Sequence, residues 1–375
     1  MDIIFSLLTF FSLTLLTIGI VNPSTVIKWK KKRTRKDVFQ FYGCAFIGFY
    51  IISTYLVPFN QPEVLTSKIQ NISSISQSIS IKSKLAAPFN NIKDKYLSDH
   101  QSENVFSHTV ENTPSPKGIV KVHYIDVGQG DCILVENNQH YMLIDAGNND
   151  DSKLVLDYLK KQGIKKLDVV VGTHPHEDHI GSLDAVINNF DIGKVYMPKI
   201  INTTKTYRDV ITAIKSKELR ITPPKVGERF RIGDATASIL APNSEKYKDL
   251  NNYSIVIKLT YGSTSYLFTG DAEGLSEKEM LGRGSDLSAD VLKVGHHGSH
   301  SSSIIEFLNR VNPKYAVISC EKNNDYKHPH KETMDKLEKR NIPVYRTDES
   351  GTIICTSDGQ TINFNTSPGS YTYPR

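Results

Sequence analysis

We predict an α/β domain over residues 117–375 of this 375-residue chain. Short segments rich in apolar and β-branched residues alternate there with segments whose apolar residues recur at helical spacing. Repeated alternation of strands and helices is typical of domains in which helices cover a sheet. Most of the histidines also fall in loops that follow predicted strands, where layered α/β folds build their functional sites.

The elements of this domain follow from apolar patterning and from turn and cap residues. Asp151 or Ser152 can cap the first helix and Gly163 can end it, and a hairpin turn is expected at 136–139. The predicted strands are residues 120–126, 131–135, 140–145, 167–171, 254–259, 265–269, 291–294, 315–320, 344–346 and 352–355. The predicted helices are residues 152–162, 182–190, 303–310 and 331–340.

Two uncharged apolar runs, residues 3–21 and 38–57, lie near the N-terminus. Each is long enough to span about 30 Å of hydrocarbon as a helix. We therefore expect a membrane anchor with two transmembrane helices over residues 1–58. The alternative is a signal peptide followed by a buried helix, but the first run has no basic segment before it.

The net charge of +5 comes from one short cluster. Residues 1–37 contain seven basic and two acidic side chains, whereas residues 117–375 contain 33 of each sign. This distribution excludes a generally basic protein. Basic residues beside a membrane span stay on the cytoplasmic side. We therefore expect a two-pass protein of the cell membrane, in contact with the lipid bilayer, with its catalytic domain extracellular; nucleic-acid contact by the loop is the alternative.

Residues 59–116 have a different composition, dominated by Ser, Asn, Ile, Lys and Gln. With few bulky apolar residues to pack together, this segment is expected to be a flexible linker. The four cysteines show no C-x-x-C spacing, so we interpret them as buried free thiols.

Eight of the twelve histidines lie in three short segments, 173–179 (THPHEDH), 295–300 (GHHGSH) and 328–330 (HPH). His174 and His176, two apart in an extended loop, project to the same side and can bind one divalent ion. Imidazole nitrogen and carboxylate oxygen are suitable ligands for zinc or a similar metal. Asp178 and His179 can reach a second ion, and Asp271, at the end of another strand, can bridge the two.

Five motifs resemble those of a known family. The segment 173–181 (THPHEDHIG) resembles the signature of the metallo-β-lactamase fold superfamily. Four more resemble the hydrolase domain of the ComEC family of competence proteins, at 124–131 (YIDVGQGD), 143–147 (LIDAG), 268–273 (FTGDAE) and 293–299 (KVGHHGS). The resemblance covers about residues 118–365 and implies an αββα sandwich with metals at one edge of its two sheets.

The resemblance also implies roles for individual residues. The implied metal ligands are His174, His176, Asp178, His179, Asp271 and one of His296 and His297, with His297 favoured. Asp178, His296 and His328 are the candidate catalytic residues, since His296 would face the substrate phosphate and His328 would bind phosphate or protonate the leaving group. Asp126, Asp131 and Asp145 match acidic positions that border the site, where they would orient ligand histidines. The expected cofactor is a pair of divalent metals, zinc or alternatively manganese.

Two features depart from the family pattern. No histidine occurs from 180 to 270, where the wider superfamily places a further ligand, so the first metal site is expected to be weakly occupied. Residues 251–254 (NNYS) occupy that region, as in ComEC-like proteins. ComEC proteins also have a many-helix DNA channel, whereas two spans and a linker are not expected to form such a pore alone.

These patterns predict a metal-dependent phosphodiesterase, with DNA as one candidate substrate. The balanced charge of residues 117–375 leaves no evident excess for neutralising many phosphates. We interpret the scattered basic residues Lys199, Lys205, Arg208 and Lys293 as solvated surface. The alternatives are an esterase for smaller phosphodiesters, such as lipid or wall head groups, and a non-catalytic DNA-uptake binding module.

Overall fold

The computed structural model describes residues 118–374, and in that part of the chain fifteen strands form two sheets. Strands β1–β15 are Val120–Tyr124, Ile133–Asn137, His140–Ile144, Lys166–Val171, Asp191–Tyr196, Ile221–Thr222, Arg229–Ile232, Ala235–Ala241, Val256–Tyr261, Thr264–Phe268, Val291–Lys293, Tyr315–Ile318, Val344–Arg346, Ile353–Ser357 and Ile362–Phe364. Helices α1–α8 are Ser152–Lys161, Glu177–Ile180, Leu183–Asn189, Lys205–Ser216, Gly274–Gly282, Ile305–Val311, Lys331–Glu338 and Thr347–Ser350.

The first sheet has eight strands in the order β15-β14-β1-β2-β3-β4-β5-β6. Its β3–β6 half is parallel and its other half is antiparallel. The second sheet has seven strands in the order β13-β12-β11-β10-β9-β8-β7, of which β10–β13 are parallel. The carboxyl ends of parallel strands meet at one edge of a sheet, so each sheet gathers the loops that follow its parallel strands.

Alternating side chains build three cores. Met142 and Ile144 of β3 point into a core between the sheets, where Ile257 of β9 also lies. Leu143, between them in the sequence, points outward to the core beneath α1, α3 and α4. On the second sheet, Leu267 likewise packs toward α5, α6 and α7. This period of two in the strands produces four layers, helix, sheet, sheet and helix, as the predicted αββα sandwich requires.

Several elements are absent from the sequence-based prediction, notably α4 and β5–β8. The buried face of α4 is narrow and weakly apolar, since it consists of Thr206, Val210, Ala213 and Ile214. Four charged residues interrupt this pattern in the sequence. Strand β8 (ATASILA) begins with small and hydroxylated residues, which carry a weak strand signal until they pair with β7 and β9.

The predicted membrane anchor and the linker lie outside the described residues. Within residues 118–374, no helix combines the length and the hydrophobicity needed to cross a membrane. Three cysteines of this part, Cys132, Cys320 and Cys355, are buried free thiols as predicted.

Candidate metal centre

The histidine-rich segments come together at the carboxyl ends of strands from both sheets. Strand β4 leads into the loop that carries His174 and His176 and then into α2, which carries Asp178 and His179. From the second sheet, β10 leads to Asp271, and β11 leads to the turn Gly295–Gly298. Six predicted ligands, spread over a stretch of more than 120 residues from His174 to His297, therefore meet at one edge of the sandwich.

Four side chains form the densest group. The ligand atoms of Asp178, His179, Asp271 and His297 all lie within 4.8 Å of one another. His179 Nε2 is 3.2 Å from Asp271 Oδ1, and His297 Nε2 is 3.2 Å from Asp178 Oδ2. His297 Nε2 is also 3.5 Å from Asp271 Oδ1. Two nitrogens and two carboxylates facing one point are suitable for binding a metal ion.

Unsatisfied polar atoms show that this group fits a cation. His179 Nε2, His297 Nε2 and Asp271 Oδ1 are buried and have no hydrogen-bond partner. A buried polar atom without a partner costs about 1–3 kcal/mol, so such atoms are uncommon unless another group satisfies them. All three belong to the same group and face one another, and a metal ion would satisfy them together.

The opposite oxygen of Asp271 faces a second set of imidazoles. Asp271 Oδ2 is 3.8 Å from His174 Nε2 and 3.7 Å from His296 Nε2. His174 Nε2 is in turn 3.0 Å from His176 Nδ1. The two oxygens of one carboxylate thus point to different groups of nitrogens, which is the arrangement a bridging carboxylate needs.

Hydrogen bonds on the side of the ring away from the group fix the imidazoles of His179 and His297. Asp145 Oδ2, completely buried, accepts from His179 Nδ1 at 2.8 Å and from Thr173 Oγ1 at 2.7 Å. The backbone carbonyl of Ser319 accepts from His297 Nδ1 at 2.9 Å. In both rings Nδ1 donates its proton away from the group, so in the neutral imidazole the lone pair of Nε2 is directed toward it.

The charges inside the group are strongly coupled. Burial alone favours the neutral carboxyl of Asp271, but His179 and His297 outweigh burial and hold its pKa well below the usual value. Burial also disfavours the charged form of His179, which would lower its pKa, yet the Asp271 and Asp178 carboxylates raise that pKa. For His174, burial and the neighbouring His179 lower the pKa. Carboxylates this close repel one another, so the group as a whole favours a positive charge at its centre.

Of the three predicted bordering acids, Asp145 and Asp131 lie beside the group. Asp131 is buried and forms an ion pair of 2.8 Å with Lys293, whose side chain is completely buried. The interpretation of Lys293 as solvated surface is therefore wrong, because β11 is an interior strand of its sheet. Lys199, Lys205 and Arg208 are exposed, as expected.

Asp126 lies apart from the histidine ligands. Its carboxylate accepts from the backbone N–H of Gly128 at 3.1 Å, and its own N–H donates to Thr352 Oγ1. Burial raises its pKa, and the backbone bond from Gly128 only partly offsets this. It lines a separate pocket of about 520 Å³, together with Asp151 and Asp348 among others, so the structure does not place it where it would orient a ligand histidine.

The two adjacent histidines of the turn Gly295–Gly298 have different surroundings. His297 is buried, whereas 23% of the side chain of His296 is exposed. Both have left-handed backbone conformations, with φ of 51° and 52°, which is uncommon for residues with a Cβ atom. This backbone directs His297 into the group and leaves His296 at its rim. The ring of His328 lies at the same rim, 5.3 Å from the ring of His296 between centroids.

Some supporting residues carry no motif that would identify them from sequence. Ser254 Oγ accepts from the backbone N–H of Asp271 at 3.0 Å and lies 3.3 Å from His174 Nδ1. Asn251 Nδ2 lies 3.5 Å from the ring nitrogens of His296. Both belong to the NNYS segment, where the wider superfamily places a histidine. The sequence analysis assigns neither residue a role, and the one available signal is the position of this segment where the wider superfamily has its histidine.

Comparison with known proteins agrees with this architecture. The model of the family described as the Metallo-beta-lactamase superfamily matches residues 125–321. ComE operon protein 3 of Bacillus subtilis is 33% identical over 251 residues, which cover 62% of this chain and 32% of that protein. Competence protein ComA of Neisseria gonorrhoeae is 30% identical over 251 residues, covering 66% of this chain and 33% of that protein.

A third protein is similar to this chain over a comparable share of its sequence. Recombination protein 2 of Haemophilus influenzae is 30% identical over 241 residues, covering 62% of this chain and 28% of that protein. The chain spans about a third of the length of these curated relatives. The similarity to ComEC-like competence proteins, expected from the five motifs, is therefore confirmed for this portion.

Proposed function

The chain belongs to the metallo-beta-lactamase superfamily, and we propose that it is a metal-dependent phosphodiesterase that acts on DNA. The observation that carries the proposal is the carboxylate of Asp271 between two sets of imidazoles, with further histidines at the rim. Fold membership alone would not select a reaction, because this superfamily hosts several.

The ligand assignment is part of the proposal. Asp178, His179 and His297 would hold one divalent cation and His174 and His176 the other, with Asp271 shared between them. When bound, such cations lower the pKa of a coordinated water and stabilise the charge that develops on a phosphoryl centre. The His174 side would have three protein ligands (His174, His176 and Asp271), whereas the other side would have four, so we propose that the His174 side binds its cation more weakly.

The residues at the rim would bind and orient the phosphodiester. His296 is held by its neighbours, since its Nδ1 lies 3.1 Å from Ser301 Oγ and 3.5 Å from Glu273 Oε1. His328 Nδ1 lies 3.3 Å from Gln129 Nε2. N–H groups at these positions suit hydrogen bonds to the non-bridging oxygens of a phosphate.

DNA is the proposed substrate because the similar proteins include one named for competence and one named for recombination. A smaller phosphodiester is the second candidate, favoured by the equal numbers of basic and acidic residues in 117–375. Purified full-length chain should be loaded with zinc or manganese and tested on bis-(p-nitrophenyl) phosphate and on single-stranded DNA. Turnover of both supports the nuclease, turnover of the small diester alone supports the esterase, and turnover of neither contradicts both.

We also propose that the chain is a two-pass membrane protein whose catalytic domain faces outward, on the basis of the two apolar runs and the basic loop. Asp358 is exposed, so a cysteine introduced by Asp358→Cys would be accessible to a reagent that does not cross membranes. Labelling in intact cells is the expected result, and labelling only after lysis would contradict the proposed topology.

A further inference from the structure

An exposed aromatic ring lies beside the candidate metal centre. Tyr326 belongs to the loop that follows β12, and 66% of its surface is exposed. Its ring stacks on the imidazole of His328, with 5.7 Å between centroids and 20° between planes. One face of the tyrosine is therefore supported by protein, and much of the rest is open to solvent.

The stacked rings continue to the metal centre. The centroid of His328 is 6.1 Å from that of His297, with 27° between the planes, and 5.3 Å from that of His296. The His328 ring thus connects Tyr326 to the two histidines of the Gly295–Gly298 turn. A group attached to a phosphate at the rim would have to extend only past His328 to reach Tyr326.

The loop that presents Tyr326 is tied down by a buried side chain. Asn324 Nδ2 donates to the backbone carbonyls of Glu321 at 2.8 Å and His328 at 2.7 Å, and Asn324 Oδ1 accepts from His328 N–H at 2.9 Å. Glu321 N–H also donates to Gln129 Oε1 at 3.3 Å. These bonds fix the position of the ring before any ligand binds, which reduces the entropy lost on binding.

Charge around Tyr326 is balanced. The exposed residues of this loop include two acidic and two basic side chains, Glu321, Lys322, Asp325 and Lys327. The loop therefore has no excess charge with which to attract a phosphate backbone, and its distinctive feature is the exposed ring. Aromatic rings stack on the flat faces of nucleobases in proteins that bind single-stranded nucleic acids.

We propose that Tyr326 is a stacking platform for a nucleobase of the substrate strand, next to the phosphodiester held at the metal centre. The inference rests on the proposed function, because it assumes that a phosphodiester lies at the rim beside His296 and His328. It goes beyond that function by naming the part of the substrate that is recognised. The substrate class is then single-stranded nucleic acid, and lipid or wall head groups, which have no base, would not use this platform.

Binding of two matched oligonucleotides tests the proposal. One is a fluorescent single-stranded DNA, and the other has the same length with abasic tetrahydrofuran units in place of nucleotides, so that sugar and phosphate are kept. Full-length chain with His176→Ala is used throughout, so that no strand is cut during the titration. Tyr326→Leu removes the ring but keeps an apolar side chain, Tyr326→Phe keeps the ring, and Tyr141→Leu alters a tyrosine on β3, away from this edge.

The measured quantity is the ratio of the dissociation constants of abasic and base-containing DNA. Loss of one stacked base should reduce this ratio by about 5- to 150-fold in Tyr326→Leu, with Tyr326→Phe and Tyr141→Leu close to the parent. An unchanged ratio, equal weakening of both oligonucleotides (as expected if the ring stacks on sugar), or no binding of DNA at all would overturn the inference.

Turnover by the chain with His176 intact separates this inference from the proposed function. If the metal-loaded chain cleaves no phosphodiester but Tyr326→Leu still reduces the ratio, the proposed function fails and the stacking platform stands. If the chain cleaves DNA and the ratio does not respond to Tyr326→Leu, the platform fails and the proposed function stands.

Discussion

Asp145 shows how a residue outside the candidate ligand set determines the chemistry of the ligands. It has no exposed surface and accepts hydrogen bonds from His179 Nδ1 and from both the backbone and the hydroxyl group of Thr173. One carboxylate therefore fixes the ring of His179 and the start of the loop that leads to His174. Acidic residues that orient metal-binding imidazoles in this way also increase their basicity.

The substitution Asp145→Asn should weaken metal binding by about 10- to 100-fold, because an amide increases the basicity of His179 less than a carboxylate does. Asn is compatible with the positive φ of 59° at this position, so the backbone should be preserved. The dissociation constant for zinc can be measured by competition with a chromophoric chelator.

Asp126→Asn is the matched control, because Asp126 contacts Gly128 and Thr352 instead of a histidine. Its zinc affinity should remain within experimental error of the wild type. Equal weakening by both substitutions, or by neither, would contradict the distinct roles assigned to these two acids.

Individual residues show which parts of the candidate site can be predicted from the sequence and which cannot. Four of the six proposed ligands are recognisable because H-x-H-x-D-H is a specific spacing for metal-binding side chains. Sequence reasoning expects Lys293 at the surface because a lone lysine is usually solvated, whereas the structure pairs it with buried Asp131. That pair joins residues 162 positions apart, and no local pattern predicts it. Ser254 was missed for the same reason, since its role depends on contact with His174 and Asp271.

At the scale of elements, the close approach of α2 to the turn Asn149–Asp151 positions Asp178 and His179. Gly181 ends α2, and a Cβ atom there would lie 2.2 Å from the backbone carbonyl carbon of Asn148 and 2.3 Å from the backbone nitrogen of Asn149. Its N–H donates to the carbonyl of Gly147 at 2.8 Å. This packing leaves no room for any side chain at position 181.

Gly181→Ala should lower the free energy of unfolding by about 1–3 kcal/mol, and should weaken metal binding, because α2 must move away from the turn. Gly282→Ala is the control, since apart from its chain neighbours and the backbone of its own helix no atom lies within 4 Å of a Cβ atom at this position. There alanine should be neutral or should stabilise the protein by up to about 1 kcal/mol. Urea denaturation followed by circular dichroism measures both, and identical results for the two variants would contradict the packing argument.

Helix α5 holds the loop after the GHHGS turn through one buried carboxylate. Glu277 Oε1 and Oε2 accept from the backbone N–H groups of Ser303 at 2.6 Å and Ile304 at 2.8 Å. Burial raises the pKa of Glu277 from 4.5 to about 7, although these two bonds and the charge of Lys336 act in the opposite direction, while Glu273 adds to the increase. The folded protein therefore binds a proton at Glu277 more tightly than the unfolded chain does.

This shift predicts a pH dependence of stability. Between pH 4.5 and pH 7 the folded state holds the proton and the unfolded state releases it, so the free energy of unfolding falls as the pH rises. The decrease from this group is on the order of 3 kcal/mol. Glu277→Gln removes the titration, so urea denaturation at pH 5 and pH 8 should show a smaller decrease in the variant. An equal decrease in both proteins would contradict the assignment to Glu277.

The predicted elements are those with strong periodicity or clear ends, such as α1 and the strands that precede the histidine segments. Helix α4 and strands β5–β8 have weak local patterns and depend on contacts with neighbouring helices and strands that are distant in the sequence or follow other elements. Their absence from the prediction leaves the proposed ligands unchanged, because these residues follow β4, β10 and β11. The sequence motifs therefore identify the segments that meet at this edge more completely than they identify the strands of the two sheets.

At the scale of the whole molecule, the charge and the site are in different parts of the chain. The excess of basic residues lies within residues 1–37, and the candidate metal centre lies in a part with equal numbers of acidic and basic residues. The αββα arrangement is the same for many reactions, so the function depends on the groups collected at one edge of the sandwich. We propose that these groups use a divalent metal to hydrolyse a phosphodiester.

The most direct test is the rate of bis-(p-nitrophenyl) phosphate hydrolysis by full-length chain that has been treated with a chelator and then titrated with zinc or manganese. His176→Ala, which alters a proposed ligand, is compared with His140→Ala, an exposed histidine at the start of β3. We predict no turnover after chelation, recovery with added metal in wild type and His140→Ala, and at least about 100-fold less in His176→Ala. Full turnover after chelation, or wild-type turnover by His176→Ala, would contradict the account.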